Sequence, residues 1–269
     1  MSLKKRFPTA LILLAVVFVW IQYFSPGLFF IFLQLIILGA LFEFYNLFRK
    51  RQTFLPRALG VLLSLVIALS FYSGKVTGEL AFFIILLLAA VYFVAVSQKV
   101  EKTAQFPTMI SLTLLGTVYL SFTLNHFYFL KIERGPLYLF FFLAVIFIGD
   151  TGAYFIGDLM GKHKMFPVAS PRKTWEGSGG GILFACGGAL AFILIFLPEV
   201  NLWKGILCAF LLHSVAQVSD PLESLFKRAV GVKDSSSVFP GHGGILDRVD
   251  SLILGTPFFY YFIKFLGLR

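Results

Sequence analysis

Residues Ser219–Asp250 read SDPLESLFKRAVGVKDSSSVFPGHGGILDRVD, and they differ sharply from the mostly apolar chain around them. This stretch holds four of the six Asp residues of the protein, four Lys or Arg residues, one His and a Gly-rich turn. Ionisable side chains in or beside apolar membrane sequence are energetically costly and usually mark functional sites. Acidic and basic residues at this density therefore indicate metal and phosphate chemistry.

The composition of the whole chain is that of a polytopic membrane protein. Of its 269 residues, 58% are hydrophobic and only 13% are charged, with a mean hydropathy of +0.88. A soluble domain has about a quarter of its residues charged. Only helices and closed barrels satisfy the backbone inside a bilayer, and the apolar runs lack the two-residue alternation of barrel strands. We therefore predict an all-α membrane fold.

About nine transmembrane helices are expected. The predicted spans are residues 7–24, 28–48, 58–73, 80–97, 108–128, 137–156, 179–197, 204–226 and 251–267. We expect one integral membrane unit, with N-terminal transmembrane helices in residues 1–136 and a catalytic region in residues 137–269. Of the 23 Lys and Arg residues, 17 fall at the N-terminus or in even-numbered connections. By the positive-inside rule, the N-terminus and both charged C-terminal loops are cytoplasmic and the C-terminus is outside.

Asp220 lies within an otherwise apolar run and is the first candidate for chemistry. The order Ser219, Asp220, Pro221 and Glu223 is typical of a helix start, with Asp220 as the N-cap and Pro221 in the first turn. This pattern predicts a broken helix near Asp220, as occurs where membrane backbone lines a cavity. A helix starting there would place further polar residues on the same face as Asp220. These residues are Ser224, Lys227 and Arg228.

The Gly-rich turn and the two acids after it extend the candidate site. Gly241, Gly243 and Gly244 surround His242, and glycines let backbone N–H groups approach a ligand, which favours a phosphate-cradling loop over a plain turn. Asp247 and Asp250 are three residues apart and share a helix face. Mg²⁺ is commonly held by one or two carboxylates together with substrate phosphates. The alternative is that Asp247 caps the last helix and Asp250 pairs with a nearby cation.

A second loop carries complementary positive charge. Ser170 and Pro171 again resemble a helix start, which would place Arg172, Lys173 and Thr174 at a helix N-terminus that favours anions. Such a site suits a nucleotide triphosphate or a lipid headgroup. Asp150 adds a carboxylate within the sixth span, and Glu43 in the second span is a weaker candidate.

These residues closely resemble the signature of the phosphatidate cytidylyltransferases, the CDP-diacylglycerol synthases. The resemblance is carried by Lys227-Arg228, Lys233-Asp234, Pro240–Gly244, Asp247–Asp250 and the SPRKTWEG segment of Ser170–Gly177. It covers about residues 145–269. It implies the Mg²⁺-dependent reaction of CTP with phosphatidate to give CDP-diacylglycerol and pyrophosphate, in a bacterial inner membrane. A second cation and a homodimer stay open, and nucleic acid is not an expected partner.

Residue pattern and resemblance together define the expected site. The predicted catalytic residues are Asp220, Lys227, Arg228, His242, Asp247, Arg248 and Asp250. The predicted substrate-binding residues are Asp150, Ser170, Arg172, Lys173, Thr174, Glu176, Ser224, Lys233, Gly241, Gly243 and Gly244. The predicted metal ligands are Asp220 and Asp247. The alternatives are a CTP-dependent polyprenol or dolichol kinase, which would release CDP, and a cation-coupled transporter, which would use the carboxylates as an ion path.

Overall fold

The computed structural model describes residues 3–49, 54–74, 76–96, 103–238 and 243–268. Nine long helices run through these ranges: α1 Leu3–Tyr23, α2 Pro26–Leu47, α3 Phe54–Ser73, α4 Gly78–Val96, α5 Phe106–Arg134, α6 Pro136–Met160, α7 Trp175–Phe196, α8 Leu202–Ala229 and α9 Leu246–Leu266. Helices α2 to α9 are all long and apolar enough to cross a membrane. Each predicted span corresponds to one helix, so the all-α polytopic fold is confirmed.

Helix α5 is not uniform along its length. It consists of an α-helix over Phe106–Gly116, a π-helical segment over Thr117–Phe122 and an α-helix over Thr123–Arg134. Hydroxyls of the π segment donate across to α3: Thr117 Oγ1 lies 3.2 Å from the carbonyl oxygen of Gly60, and Ser121 Oγ lies 3.1 Å from that of Ser64. These bonds join two helices where no water would otherwise satisfy the polar groups.

The predicted break near Asp220 is wrong, because α8 runs without interruption from Leu202 to Ala229 with Pro221 inside it. Its N-cap is Asn201, whose Oδ1 accepts the N–H of Lys204 at 3.2 Å. Proline has no N–H, so the helix loses the hydrogen bond that position 221 would make to the carbonyl of Gln217. Packing against α7 and α9 holds the helix together, as neighbouring helices do for membrane prolines.

The predicted helix start at Ser170 is also wrong. Strand β1 (Lys164–Phe166) pairs antiparallel with β2 (Ser170–Thr174), and α7 begins only at Trp175. Thr174 is the N-cap, and its Oγ1 accepts the N–H of Gly177 at 3.1 Å. The basic residues Arg172 and Lys173 therefore lie on a hairpin strand that leads into the helix.

Two hydrophobic clusters form the interior of the bundle. The larger cluster joins α1, α2, the second half of α5 and helices α6 to α9, whereas the smaller joins α3, α4 and the first half of α5. Helices α6 and α7 pack most closely, through glycines that leave no space for a side chain. A Cβ atom at Gly152 on α6 would overlap Phe184 on α7. This close packing aligns the end of α6 with the start of α7, where the hairpin connects them.

Replacing Gly152 with Ala tests this packing. We expect the free energy of unfolding to fall by about 1–3 kcal/mol, because an added methyl group in a filled interface forces the helices apart. Gly187→Ala on α7 is the matched control, since a Cβ there meets open space, and a helical Gly→Ala change is otherwise favourable. Thermal unfolding in detergent measures both variants, and equal melting temperatures would contradict the close contact.

Candidate active site

A polar cleft of about 600 Å³ opens where α6 ends and α7 begins. Its walls come from the end of α6, the β1–β2 hairpin, the start of α7 and the middle of α8. Three cations and three carboxylates line it: Lys164, Arg172, Lys173, Asp150, Asp158 and Asp220. The charged loop between α6 and α7 therefore meets Asp220 of α8 at one end of the bundle.

One ion pair crosses this cleft. Lys173 Nζ lies 2.8 Å from Asp220 Oδ2, and both side chains are about 30% exposed. The other carboxylate oxygen, Oδ1, accepts a long hydrogen bond of 3.4 Å from Ser224 Oγ. Asp150 is within electrostatic range of both Lys173 and Asp220. The cleft thus contains an accessible ion pair, Lys173 with Asp220, and a second carboxylate, that of Asp150.

The start of α7 forms one wall of the cleft. Thr174, Gly177 and Ser178 all line it, at the helix end that carries a partial positive charge. Gln217 on α8 supports this wall, because its Nε2 donates to the carbonyl oxygen of Ser178 at 3.1 Å. The arrangement is suited to an anion near the basic strand β2.

Glu176 and Ser170 do not line the cleft. The Glu176 carboxylate accepts the backbone N–H groups of Lys162 and His163, at 3.1 Å and 3.2 Å to its Oε2, and meets His163 Nδ1 at 2.5 Å. Ser170 pairs with Phe166 in the hairpin. Both residues therefore shape the hairpin that carries Arg172 and Lys173.

A second polar group is buried beside the cleft, between α8 and α9. Lys227 Nζ lies 2.6 Å from Glu223 Oε2 and 2.5 Å from Asp247 Oδ1. The three side chains are at most 8% exposed. Asp247 Oδ2 accepts three more hydrogen bonds, from the N–H and hydroxyl of Ser235 and from the N–H of Gly244. Both oxygens of Asp247 thus accept hydrogen bonds.

The described part of the Gly-rich turn, Gly243 and Gly244, lies against Asp247 of this buried group. Gly243 has a φ of +81°, which a residue with a side chain rarely adopts. The N–H of Gly244 points at Asp247 Oδ2 at 2.8 Å. These contacts give both glycines a role in positioning Asp247. Gly241 and His242 lie outside the described residues, so their predicted roles stay predictions.

The remaining predicted residues divide between the interior and the surface. The carbonyl of Asp250 accepts the hydroxyl of Ser219, and its carboxylate accepts the N–H of Ser251 at 2.7 Å. Asp250 therefore contacts α8 at the residue before Asp220. The other three residues are exposed near the loop after α8: Arg228, Lys233 and Arg248.

The oxygen donors of the cleft fit Mg²⁺ better than those of the buried group. Mg²⁺ prefers oxygen ligands, and Asp150 and Asp220 present carboxylates to the same cleft. Both oxygens of Asp247 are already engaged by Lys227, Ser235 and Gly244. Among the described residues, no group of three or more His, Cys, Asp or Glu side chains is placed to hold a metal ion. Substrate oxygens would have to complete any such site.

Several residues of this region were not predicted from the sequence. Glu223 was interpreted as part of a helix start, although its spacing of four residues from Lys227 is typical of a helical ion pair. Lys164 and Asp158 line the cleft because the hairpin folds back over α6. Gln217 gave no sequence signal that distinguishes it from other polar residues of a span.

The fold and the cleft define an integral membrane protein with a charged cleft at one end of its helical bundle. The chain matches the family model of the cytidylyltransferase family over residues 4–266 and belongs to this family.

The curated relatives of the chain agree with the resemblance seen in the sequence. The chain is 34% identical over 258 residues to a phosphatidate cytidylyltransferase of Staphylococcus haemolyticus, covering 95% of this chain and 96% of that protein. It is 34% identical over 272 residues to a phosphatidate cytidylyltransferase of Bacillus subtilis, covering 97% and 98%. A phosphatidate cytidylyltransferase of Staphylococcus aureus is 33% identical over 256 residues, covering 95% and 96%.

Replacing Lys227 with Met tests the buried ion pairs. We expect the free energy of unfolding to fall by about 3–5 kcal/mol, because Glu223 and Asp247 would keep buried charges without their cation. Lys173→Met is the matched control, since its pair with Asp220 is about 30% exposed and solvent screens such a pair. Thermal unfolding in detergent compares the two. Equal losses would show that Lys227 is not held by a buried charge network.

Proposed function

We propose that this protein is a phosphatidate cytidylyltransferase, which converts CTP and phosphatidate into CDP-diacylglycerol and pyrophosphate. The observation that carries the proposal is the cleft in which Lys173 pairs with Asp220 beside the start of α7. Similarity to enzymes of that name over nearly the whole chain supports it. The cleft lies at the end of a membrane bundle, where a soluble nucleotide and a lipid headgroup can meet.

The triphosphate of CTP binds along the basic wall of the cleft in this proposal. Lys164, Arg172 and Lys173 offer three cations, and the first turn of α7 adds the positive end of its helix dipole. Arginine and lysine together can neutralise several phosphate oxygens at once. Lys173 would exchange part of its contact with Asp220 for the nucleotide.

The transfer itself needs little acid–base chemistry from the protein. An oxygen of the phosphatidate phosphate attacks the α-phosphorus of CTP, the bond to the β-phosphate oxygen breaks, and pyrophosphate leaves with those electrons. A phosphate monoester is already largely ionised near neutral pH, so no general base is obligatory. Catalysis then depends on positioning and on neutralising the developing negative charge. Lys227, Arg228 and Arg248 provide cations for this, and Lys233 adds one at the loop.

We assign Mg²⁺ to the cleft side of the site. Asp220 and Asp150, which both line the cleft, would hold it. When bound, Mg²⁺ would supply positive charge that offsets the charge of the phosphates. Asp247 as a second ligand would first have to release Lys227 and Ser235. A titration with Mg²⁺ therefore decides how many cations bind.

The cleft faces the cytoplasm in this proposal, where CTP is present. The positive-inside bias of the chain supports this orientation, with the N-terminus inside and the C-terminus outside. Bacterial relatives support an inner-membrane location. Helices α6 to α9 supply the cleft walls and the buried ion pairs, which is consistent with a catalytic region in residues 137–269.

The reaction is tested on the purified protein in detergent with CTP, phosphatidate and Mg²⁺. We expect CDP-diacylglycerol and pyrophosphate to appear in equal amounts, because one bond forms for each bond that breaks. Release of CDP in place of pyrophosphate would indicate a kinase. If neither product forms from folded protein, the proposal fails, and ion uptake by reconstituted vesicles becomes the next assay.

Asp220→Asn tests the metal assignment. We expect the Mg²⁺ concentration for half-maximal activity to rise by at least about tenfold, because an amide is a weaker ligand than a carboxylate for a hard cation. Asp150→Asn should shift the same curve in the same direction. Glu199→Gln is the matched control, since Glu199 is exposed at the other end of α7. A lower maximal rate with an unchanged Mg²⁺ curve would overturn the assignment.

A further inference from the structure

Glu43, on α2, accepts four hydrogen bonds from a distant part of the chain. Its Oε1 accepts the hydroxyl of Ser236 at 2.7 Å and the N–H of Ile245 at 3.0 Å. Its Oε2 accepts the N–H of Leu246 at 2.8 Å and, at 2.9 Å, shares the one hydroxyl hydrogen of Ser235 with Asp247 Oδ2. The side chain is only 4% exposed. A buried carboxylate bound by four donors holds those donors in one arrangement.

These donors surround the start of α9. Helix α9 begins at Leu246, and the first backbone N–H groups of a helix have no partner within the helix itself. Glu43 supplies an acceptor to two N–H groups at this end, and its negative charge is favourable beside the helix dipole. Asp247 is in the same turn, so Glu43 determines where that turn lies.

A direct bridge also joins Glu43 to Asp247. The hydroxyl of Ser235 lies 2.9 Å from Glu43 Oε2 and 2.8 Å from Asp247 Oδ2. Gly244 fits closely against the same carboxylate, because a Cβ atom there would overlap Glu43 Oε2. Asp247 in turn holds the ammonium of Lys227 at 2.5 Å. A chain of contacts therefore runs from α2 to the buried lysine of α8.

We propose that Glu43 is a positioning residue for the transfer reaction, which acts through Ser235 and the first turn of α9 to orient Asp247 and Lys227. This inference rests on the proposed function. It gives the N-terminal half of the bundle a part in catalysis, although the cleft and the buried ion pairs are formed by the C-terminal helices.

Two serine variants separate positioning from stability. Ser235 and Ser236 each donate a hydroxyl to Glu43, but only Ser235 also reaches Asp247. We expect Ser235→Ala to lower kcat by about 10- to 100-fold, because small misplacements of charged groups slow transfer strongly. Ser236→Ala should lower thermal stability to a similar extent and leave kcat within about threefold.

Glu43→Gln gives the second test. An amide has one accepting oxygen, so either orientation directs its NH₂ group at one of two backbone N–H donors. We expect kcat per folded enzyme to fall by about 10- to 100-fold. The KM for CTP should change little, since Glu43 does not line the nucleotide cleft. The double variant with Ser235→Ala should lose less than the product of the single losses, because both act on one bridge.

The outcomes distinguish the inference from the proposed function. Wild-type protein that makes no CDP-diacylglycerol would remove the proposed function and this inference with it. An active wild type in which Ser235→Ala and Ser236→Ala have equal kcat values would overturn the inference alone. If Glu43→Gln does not fold, the serine pair still decides, because each of these variants removes only one hydroxyl.

Discussion

The ammonium of Lys227, held between Glu223 and Asp247, is the interaction on which the polar end of the bundle depends. A charge removed from water in this way is stable only when oppositely charged partners surround it. The two acids come from different helices, so the lysine joins α8 to α9. Asp247 also accepts hydrogen bonds from Ser235 and Gly244 in the loop between α8 and α9. Glu43 accepts a hydrogen bond from the same Ser235, which connects that loop to α2. One buried cation thereby sets the positions of three helices.

The cleft and the buried group differ in exposure to solvent and therefore have different roles in the site. The cleft residues Lys173 and Asp220 are accessible and can exchange partners when a nucleotide arrives. The buried residues Lys227, Glu223 and Asp247 form ion pairs with one another and provide a rigid support. Such a division suits transfer between two phosphates, because the reaction depends on fixed charges rather than on proton transfer. Asp250 contacts α8 next to the cleft, because its carbonyl accepts the hydroxyl of Ser219, the residue before Asp220.

Local sequence patterns predicted the wrong structure where packing against other helices, or pairing with another strand, decides it. Asp220 and Pro221 have the residue types of a helix start, but α7 and α9 pack on both sides of α8 and keep it continuous. Ser170 and Pro171 carry the same local pattern, yet pairing with β1 makes them a strand. In both places a short pattern of capping residues competes with tertiary contacts that involve many more atoms, and the tertiary contacts prevail.

The nine apolar helices, the concentration of charge in two loops and the family can all be predicted from the sequence, because each is a property of consecutive residues. Hydropathy alone decides which segments can cross a bilayer. The pairing of distant residues, in contrast, follows from the tertiary structure: Lys173 with Asp220, Lys227 with Asp247, and Glu43 with a loop about 190 residues away. Such pairs form because buried charges and helix ends must find partners. Which partner lies within reach depends on how the helices pack.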